Sequence, residues 1–285
     1  MKENVKAIVV GAAGKMGSRI IHIIRETPSI ELYRALERSD HPSIGRDIGE
    51  LIGLGKLGIP LEGGLKKEGG DVIINFSNPT ASLESLDFAR ETGVALVIGT
   101  TGFSQEQTER FRGLSKSIRC VLAPNMSVGM NLMFRVVQDV ARVLGPEYDI
   151  EILEAHHRLK KDSPSGTAVK LGELIAGAIG RNLDQVGVYG RKGMIGERTK
   201  EEIGMQVVRA GDIVGEHTVL FGGIGERLEI IHRAHSRDNF ARGAIKAALW
   251  IVNQPNGLYD MQDVLGLMET GIHCSSALSK ILSVR

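Results

Sequence analysis

Between residues 5 and 122, short apolar runs of strand length alternate with segments of helical spacing. Residues 5–10 read as a buried strand, and 15–25 follow with Met16, Ile20, Ile23 and Ile24 on one helical face. The pattern repeats with strands at 30–37, 71–75, 95–98 and 119–122 and helices at 80–91 and 105–116. Strands separated by helices pair in parallel, because each helix carries the chain back before the next strand begins. Residues 38–70 break the pattern: Gly45, Gly49, Gly53, Gly55 and Gly58 leave only brief apolar runs, and the stretch reads as loop.

The second half is built differently. A helix at 128–144 leads to a strand at 149–155 and a helix at 167–179. Strand-like stretches at 204–209, 217–222 and 226–234 then follow one another with short turns, which calls for a largely antiparallel or mixed sheet. A last helix is expected at 240–252. These patterns divide the chain into residues 1–127 with 238–285, the C-terminal segment packing back, and residues 128–237. A length of 285 residues suits about two domains.

Charge and cysteine content narrow the function. The 35 basic and 34 acidic residues leave a formal charge of +1, which speaks against a general nucleic-acid or polybasic membrane surface. Two cysteines, Cys120 and Cys274, stand far apart in no metal or redox pattern, so a reducing cytoplasm is expected. No run approaches the ~18–20 apolar residues of a membrane span, and the N-terminal apolar run is too short for a signal peptide.

VVGAAGKMGSRI places Gly11, Gly14 and Gly17 between the first strand and the first helix. Such a junction binds dinucleotides when Gly11 allows the turn, Gly14 admits the pyrophosphate and Gly17 lets helix and strand pack closely. The helix N-terminus offers N–H groups to the phosphates. At the end of the second strand stand Glu37, suited to a ribose 2′-hydroxyl, and Arg38, suited to a 2′-phosphate. NADH and NADPH both remain open. IGTTGF, with Gly99, Thr100 and Thr101, and LAPNMSVG, with Ala123, Pro124, Asn125 and Met126, end later strands, as does FSNP at 76–79. Ligands bind at such carboxyl ends in open α/β sheets, and backbone groups there can hold a carboxamide.

Residues 154–168, EAHHRLKKDSPSGTA, gather His156, His157, Arg158, Lys160 and Lys161 ahead of a helix start. Cations beside a helix N-terminus suit a carboxylate. Ser165 or Thr167 can cap that helix while the N–H groups of Gly166 and Thr167 face the ligand. Histidine can move a proton near neutrality and lysine can donate one. On an extended chain, His156 and Lys160, four apart, point to the same side. No metal site is expected, since adjacent histidines point apart and no acidic cluster accompanies them. His217, His232 and His235 lie on strand-like stretches and read as structural.

VVGAAGKMG, IGTTGF, APNMSVGMN, EAHHRLKKDSPSGTA, GRKGMIGER, RAGDIVGEHTV and the later ALW together resemble the 4-hydroxy-tetrahydrodipicolinate reductase (dihydrodipicolinate reductase) family. The resemblance runs from residue 5 to about residue 264. It implies an α/β protein: a Rossmann-type parallel-sheet domain and an α+β substrate domain with a mixed sheet, through which a homotetramer forms. It also implies an NADH- or NADPH-dependent reductase acting on a small dicarboxylate. By motif, His156 matches the proton donor/acceptor and Lys160 the proton donor. His157, Gly166 and Thr167 match substrate-carboxylate contacts. Gly11, Ala12, Ala13, Gly14, Lys15, Met16, Glu37, Gly99, Thr100, Thr101, Ala123, Pro124, Asn125 and Met126 match cofactor contacts, and Arg38 the position that favours NADPH. Asn78 stands where some members carry an arginine near the cofactor, and the tail with Cys274 is longer than in short members. Two other readings stay open: an aspartate-type amino-acid dehydrogenase of similar build, and a non-catalytic NAD(P)-sensing protein. Both need the glycine loop, but neither needs HHxxK before PSGT.

Overall fold

The structure, a computed structural model, describes residues 4–66 and 69–267. Its first half runs β1 (Val5–Val10), α1 (Lys15–Glu26), β2 (Ile30–Glu37), α2 (Ile48–Leu51), β3 (Leu61–Gly63), β4 (Val72–Asn75), α3 (Pro79–Thr92), β5 (Ala95–Ile98), α4 (Gln105–Gly113) and β6 (Arg119–Leu122). Then come α5 (Val128–Leu144), β7 (Asp149–His156), α6 (Gly166–Ala178), α7 (Leu183–Val186), β8 (Gly187–Tyr189), β9 (Ile203–Arg209), β10 (Gly215–Gly222) and β11 (Arg227–Ala234). The described chain closes with α8 (Asp238–Ile251), β12 (Gly257–Tyr259) and α9 (Met261–Val264).

Seven strands form one sheet in the order β12-β6-β5-β4-β1-β2-β3, every pair parallel. The chain winds outward from β1 in both directions, so the order reverses between β1 and β4. That switch point leaves a crevice at the strands' carboxyl ends. Ile20, Ile21, Ile23 and Ile24 of α1 pack on one face of the sheet together with Ala244, Ala248 and Ile251 of α8. Arg19 joins the two helices by a two-pronged ion pair with Asp238, both bonds 2.6 Å. Leu86, Ala89 and Phe111 of α3 and α4 cover the other face. Met261 and Val264 of α9 join the same core as α1 and α8. The last part of the C-terminal segment, with Cys274, lies outside the described residues.

The second sheet has the order β11-β10-β7-β9-β8 and is mixed: β10 pairs antiparallel with β7 and β11, while β7, β9 and β8 run parallel. Its inner face, with Ile150, Ile152, Met205, Val219 and Phe221, packs on Met133 and Val137 of α5 and Leu171 and Ile175 of α6.

The expected loop at 38–70 is partly ordered. It contains α2 and β3, and one carboxylate organises it: Asp47 accepts N–H bonds from Gly49, Glu50, Leu57 and Gly58. Elements of three or four residues show no periodicity, and the same reason hid β8 and β12. The helix expected to reach residue 116 stops at Gly113.

Candidate active site

The glycine loop sits at the switch point. Gly11 has φ +75°, a left-handed conformation that a side chain disfavours. A Cβ at Gly17 would overlap the Gly11 carbonyl and come within 2.8 Å of Ala12 Cα, so only glycine lets α1 start this close to β1. Gly14 precedes the helix, and no side chain caps it. The first N–H groups of α1 thus have neither an intrahelical nor a side-chain acceptor, as an anion site requires. Ala12 is buried, Met16 half-buried, and Lys15 exposed. Glu37 ends β2 with Oε1 accepting from Ala13 N–H at 3.2 Å, at the loop's edge. Arg38 is 72% exposed and pairs with Asp40 at 3.1 Å.

The other strand ends close the crevice. Gly99 lies against the Phe76 ring, where a Cβ would fall within 2.6 Å of Cδ1. Thr100 is buried and accepts from Ser82 Oγ at 2.8 Å. Asn78 accepts from Ala81 N–H and caps α3, which is its role in place of an arginine. Met126 is buried in the core, and its carbonyl occupies the space a Cβ at Gly243 would need, so α8 crosses directly over the 123–127 segment.

A cleft of about 1080 Å³ opens between the two sheets. Thr101, Ala123, Pro124 and Asn125 line it on the first side; His156, Lys160, Ser165, Gly166 and Thr167 line it on the second. His157 is half-buried and is not among the lining residues. Helix α6 begins at Gly166, and the cap left open between two residues is Ser165, whose hydroxyl accepts from Ala168 N–H at 3.2 Å. Gly166 and Thr167 then carry first-turn N–H groups at the cleft wall.

His156 and Lys160 both reach the cleft, but not by the extended spacing expected. β7 ends at His156, and the chain turns at once: Lys160 N–H bonds to the His157 carbonyl at 3.0 Å. A turn, rather than strand alternation, brings the ammonium beside the ring. Lys160 Nζ is 2.8 Å from Asp162 Oδ1.

Beneath them lies a buried polar cluster. Glu154, with a side chain 1% exposed, places Oε2 2.5 Å from His156 Nδ1. Arg209 spans both carboxylate oxygens at 2.8 Å, and Ser165 N–H donates to Oε1 at 2.9 Å. Burial alone would raise the Glu154 pKa, but Arg209, His156 and the Ser165 N–H together hold it below the ordinary value. Burial lowers the His156 pKa, Glu154 opposes that, and Lys160 and Arg209 add to it. His217 packs edge to face on His156, ring centroids 5.2 Å apart, and its Nε2 meets Ser165 Oγ at 3.2 Å. Burial, with a smaller push from His156, takes the His217 pKa down to about 3.

Residues 5–126 match the family model described as dihydrodipicolinate reductase, N-terminus, and residues 129–265 match its C-terminus. The chain belongs to the dihydrodipicolinate reductase family. A protein of Syntrophus aciditrophicus named 4-hydroxy-tetrahydrodipicolinate reductase is 59% identical over 263 residues, covering 92% of this chain and 98% of that protein. A protein of the same name from Syntrophobacter fumaroxidans is 57% identical over 265 residues, covering 92% and 99%. Among solved structures, dipicolinate-bound dihydrodipicolinate reductase from Paenisporosarcina sp. TG-14 superposes with a TM-score of 0.70 at 25% identity, covering 91% of this chain and 98% of that one. As a reductase of this family the chain is an NAD(P)H-dependent oxidoreductase.

Three residues of this cluster escaped the sequence reading: Glu154, Arg209 and His217. Glu154 carried a usable signal, since it stands two residues before His156 on a strand and therefore on the same face. Arg209 and His217 fall in RAGDIVGEHTV, but nothing in that stretch places them beside His156. They meet His156 and Glu154 only through the register of β9 and β10 on β7, which pairs His156 with Arg209 and Glu154 with His217.

Proposed function

We propose that this chain reduces 4-hydroxy-tetrahydrodipicolinate to tetrahydrodipicolinate with NADH or NADPH, in the diaminopimelate route of lysine biosynthesis. One observation carries the reading. Thr101, Ala123, Pro124 and Asn125, at strand ends of the first sheet, and the start of α6, with His156 and Lys160, line a single cleft.

The cofactor fits the first wall: the cradle at Gly11 and Gly17 excludes side chains, and α1 is uncapped. Backbone of residues 11–16 would hold the pyrophosphate, Glu37 and Arg38 the adenosine ribose, and the 99–101 and 123–126 segments the nicotinamide end. When bound, the cofactor supplies a hydride. On the second wall the Gly166 and Thr167 N–H groups and Lys160 grip a substrate carboxylate, with Lys160 leaving Asp162 for it. His157 joins them only if the 157–160 turn shifts toward the cleft. Loss of the 4-hydroxyl as water gives a conjugated C=N–C=C ring; hydride addition to its alkene carbon then leaves a site that needs one proton, and Lys160 and His156 are placed to supply it. A preformed pocket of donors orients the ring and stabilises the charge that develops.

The exposed face of the second sheet carries Leu153, Val208 and Ile231, each at least 41% exposed. We assign it to contact with further copies of this chain in a homotetramer, which light scattering would test. Among the described residues no helix is long and apolar enough to cross a membrane, and a cytoplasmic location suits the pathway.

The decisive assay follows NADH or NADPH consumption with substrate generated in situ from pyruvate and aspartate semialdehyde by the preceding synthase. Rapid oxidation that requires both precursors is expected. No oxidation with either cofactor would overturn the reading.

A further inference from the structure

The stretch RAGDIVGEHTV takes no part in the chemistry proposed above, yet it sets Arg209, Gly215 and His217 around His156. We propose that Glu154, clamped by Arg209 and the Ser165 N–H, is a positioning residue that fixes the His156 imidazole and leaves its Nε2 as the nitrogen that faces substrate. The proposal rests on His156 moving the proton.

Both oxygens of Glu154 are occupied. Oε1 accepts from Ser165 N–H at 2.9 Å and Arg209 Nη2 at 2.8 Å; Oε2 accepts from Arg209 Nη1 at 2.8 Å and meets His156 Nδ1 at 2.5 Å. A carboxylate this deep is tolerated only with its charge and lone pairs compensated, and Arg209 compensates both. An ionised carboxylate can only accept, so His156 Nδ1 carries the proton. The proton exchanged with a ligand then belongs to Nε2.

The rest of the surroundings hold the same ring. His217 sets its plane by an edge-to-face contact at 75°. Gly215 of β10 adjoins the His156 ring, and a Cβ there would come within 3.1 Å of Nε2. The missing side chain keeps space at the nitrogen that Glu154 leaves free. Merely joining β7 to β9 needs no charged pair, because the backbone ladder from Ile150↔Ile203 to His156↔Arg209 already does so.

A double-mutant cycle tests the assignment. Wild type, Glu154→Gln, His156→Ala and the double variant are assayed for kcat and KM with the enzymatically generated substrate. Glu154→Gln should lower kcat about 10–100-fold, part of the roughly 10²–10⁴ that an acid contributes, and leave substrate KM within about 2-fold. In the His156→Ala background it should cost nothing more, because its effect passes through that ring. The ring is also faced by Lys160 from the turn, Arg209 from β9 and His217 from β10. These remain in the variant. Loss of the carboxylate that favours the charged ring should therefore move the alkaline limb of kcat to lower pH. Additive losses, or a wild-type kcat in Glu154→Gln, overturn the proposal. Wild-type turnover in His156→Ala instead removes the role of His156 itself. If Glu154→Gln does not fold, the pair Glu154→Gln/Arg209→Met removes both charges together and is read in the same cycle.

Discussion

The side-chain amide of Asn125 donates to the hydroxyl of Thr167 across 3.2 Å. Asn125 follows β6 at the cofactor wall; Thr167 is in the first turn of α6 at the substrate wall. Asn125 is held in turn, its Oδ1 accepting from Ser127 N–H and its carbonyl from Asn131 Nδ2. One bond thus joins the two sides of the cleft. Thr167→Val keeps shape and backbone N–H but removes the acceptor, a loss of about 1 kcal/mol, or roughly 5-fold. Substrate KM should rise by about that factor while NADPH affinity stays unchanged. An unaltered KM in steady-state assays would detach this bond from substrate binding.

Lys160 and His156 should fail differently. Lys160→Ala removes both a carboxylate grip and a proton source, so kcat should fall by roughly 10²–10⁴-fold and substrate KM should rise. His156→Ala should lower mainly kcat, since a neutral imidazole adds little to ground-state binding. Cofactor titrations of both variants should match wild type, because the glycine loop belongs to the first sheet and not to the second. Near-normal turnover in both would reduce the basic stretch to a solvated loop.

Arg38 should read the 2′-phosphate. Its ion pair with Asp40 is exposed on both sides and therefore weak, so it can swing toward a phosphate. Arg38→Ala should weaken NADPH about 10-fold more than NADH, the scale of one charged hydrogen bond. Equal weakening of both in fluorescence titrations would remove that assignment.

His217 should make stability fall with acid. Its folded pKa is lowered from 6.5 to about 3 by burial and then by His156, so it stays neutral where the unfolded chain is protonated. Its contribution is fully present above pH 6.5 and is lost as pH falls toward 3, because in that window the unfolded state binds the extra proton. The limiting slope is about 1.4 kcal/mol per pH unit. Urea unfolding of wild type and His217→Gln between about pH 6 and 4 should show a shallower slope in the variant. Parallel slopes would mean that His217 is not the group that titrates.

Much of the architecture was legible in local pattern. The bounds of β1, β2, β5, β6 and α5 coincide with the apolar runs, because strands buried in a parallel sheet and a one-faced helix leave strong periodic signals. The glycine loop was legible for a steric reason, since Gly11 and Gly17 stand where the backbone excludes side chains. His156, Lys160, Gly166 and Thr167 were legible as a group because one short segment carries them all.

What the sequence determined by itself is therefore whatever a contiguous segment encodes: the alternation of elements, the glycine turn, and the cationic stretch ahead of a helix start. Only the tertiary structure decided the rest. It placed Lys160 beside His156 through a turn, left His157 off the cleft wall, and assembled Glu154, Arg209 and His217 around one imidazole from three strands. The physical reason is register. A one-residue slip of β9 or β10 against β7 would turn those side chains to the opposite face, and register is set by packing across the whole sheet rather than by any residue's neighbours in the chain.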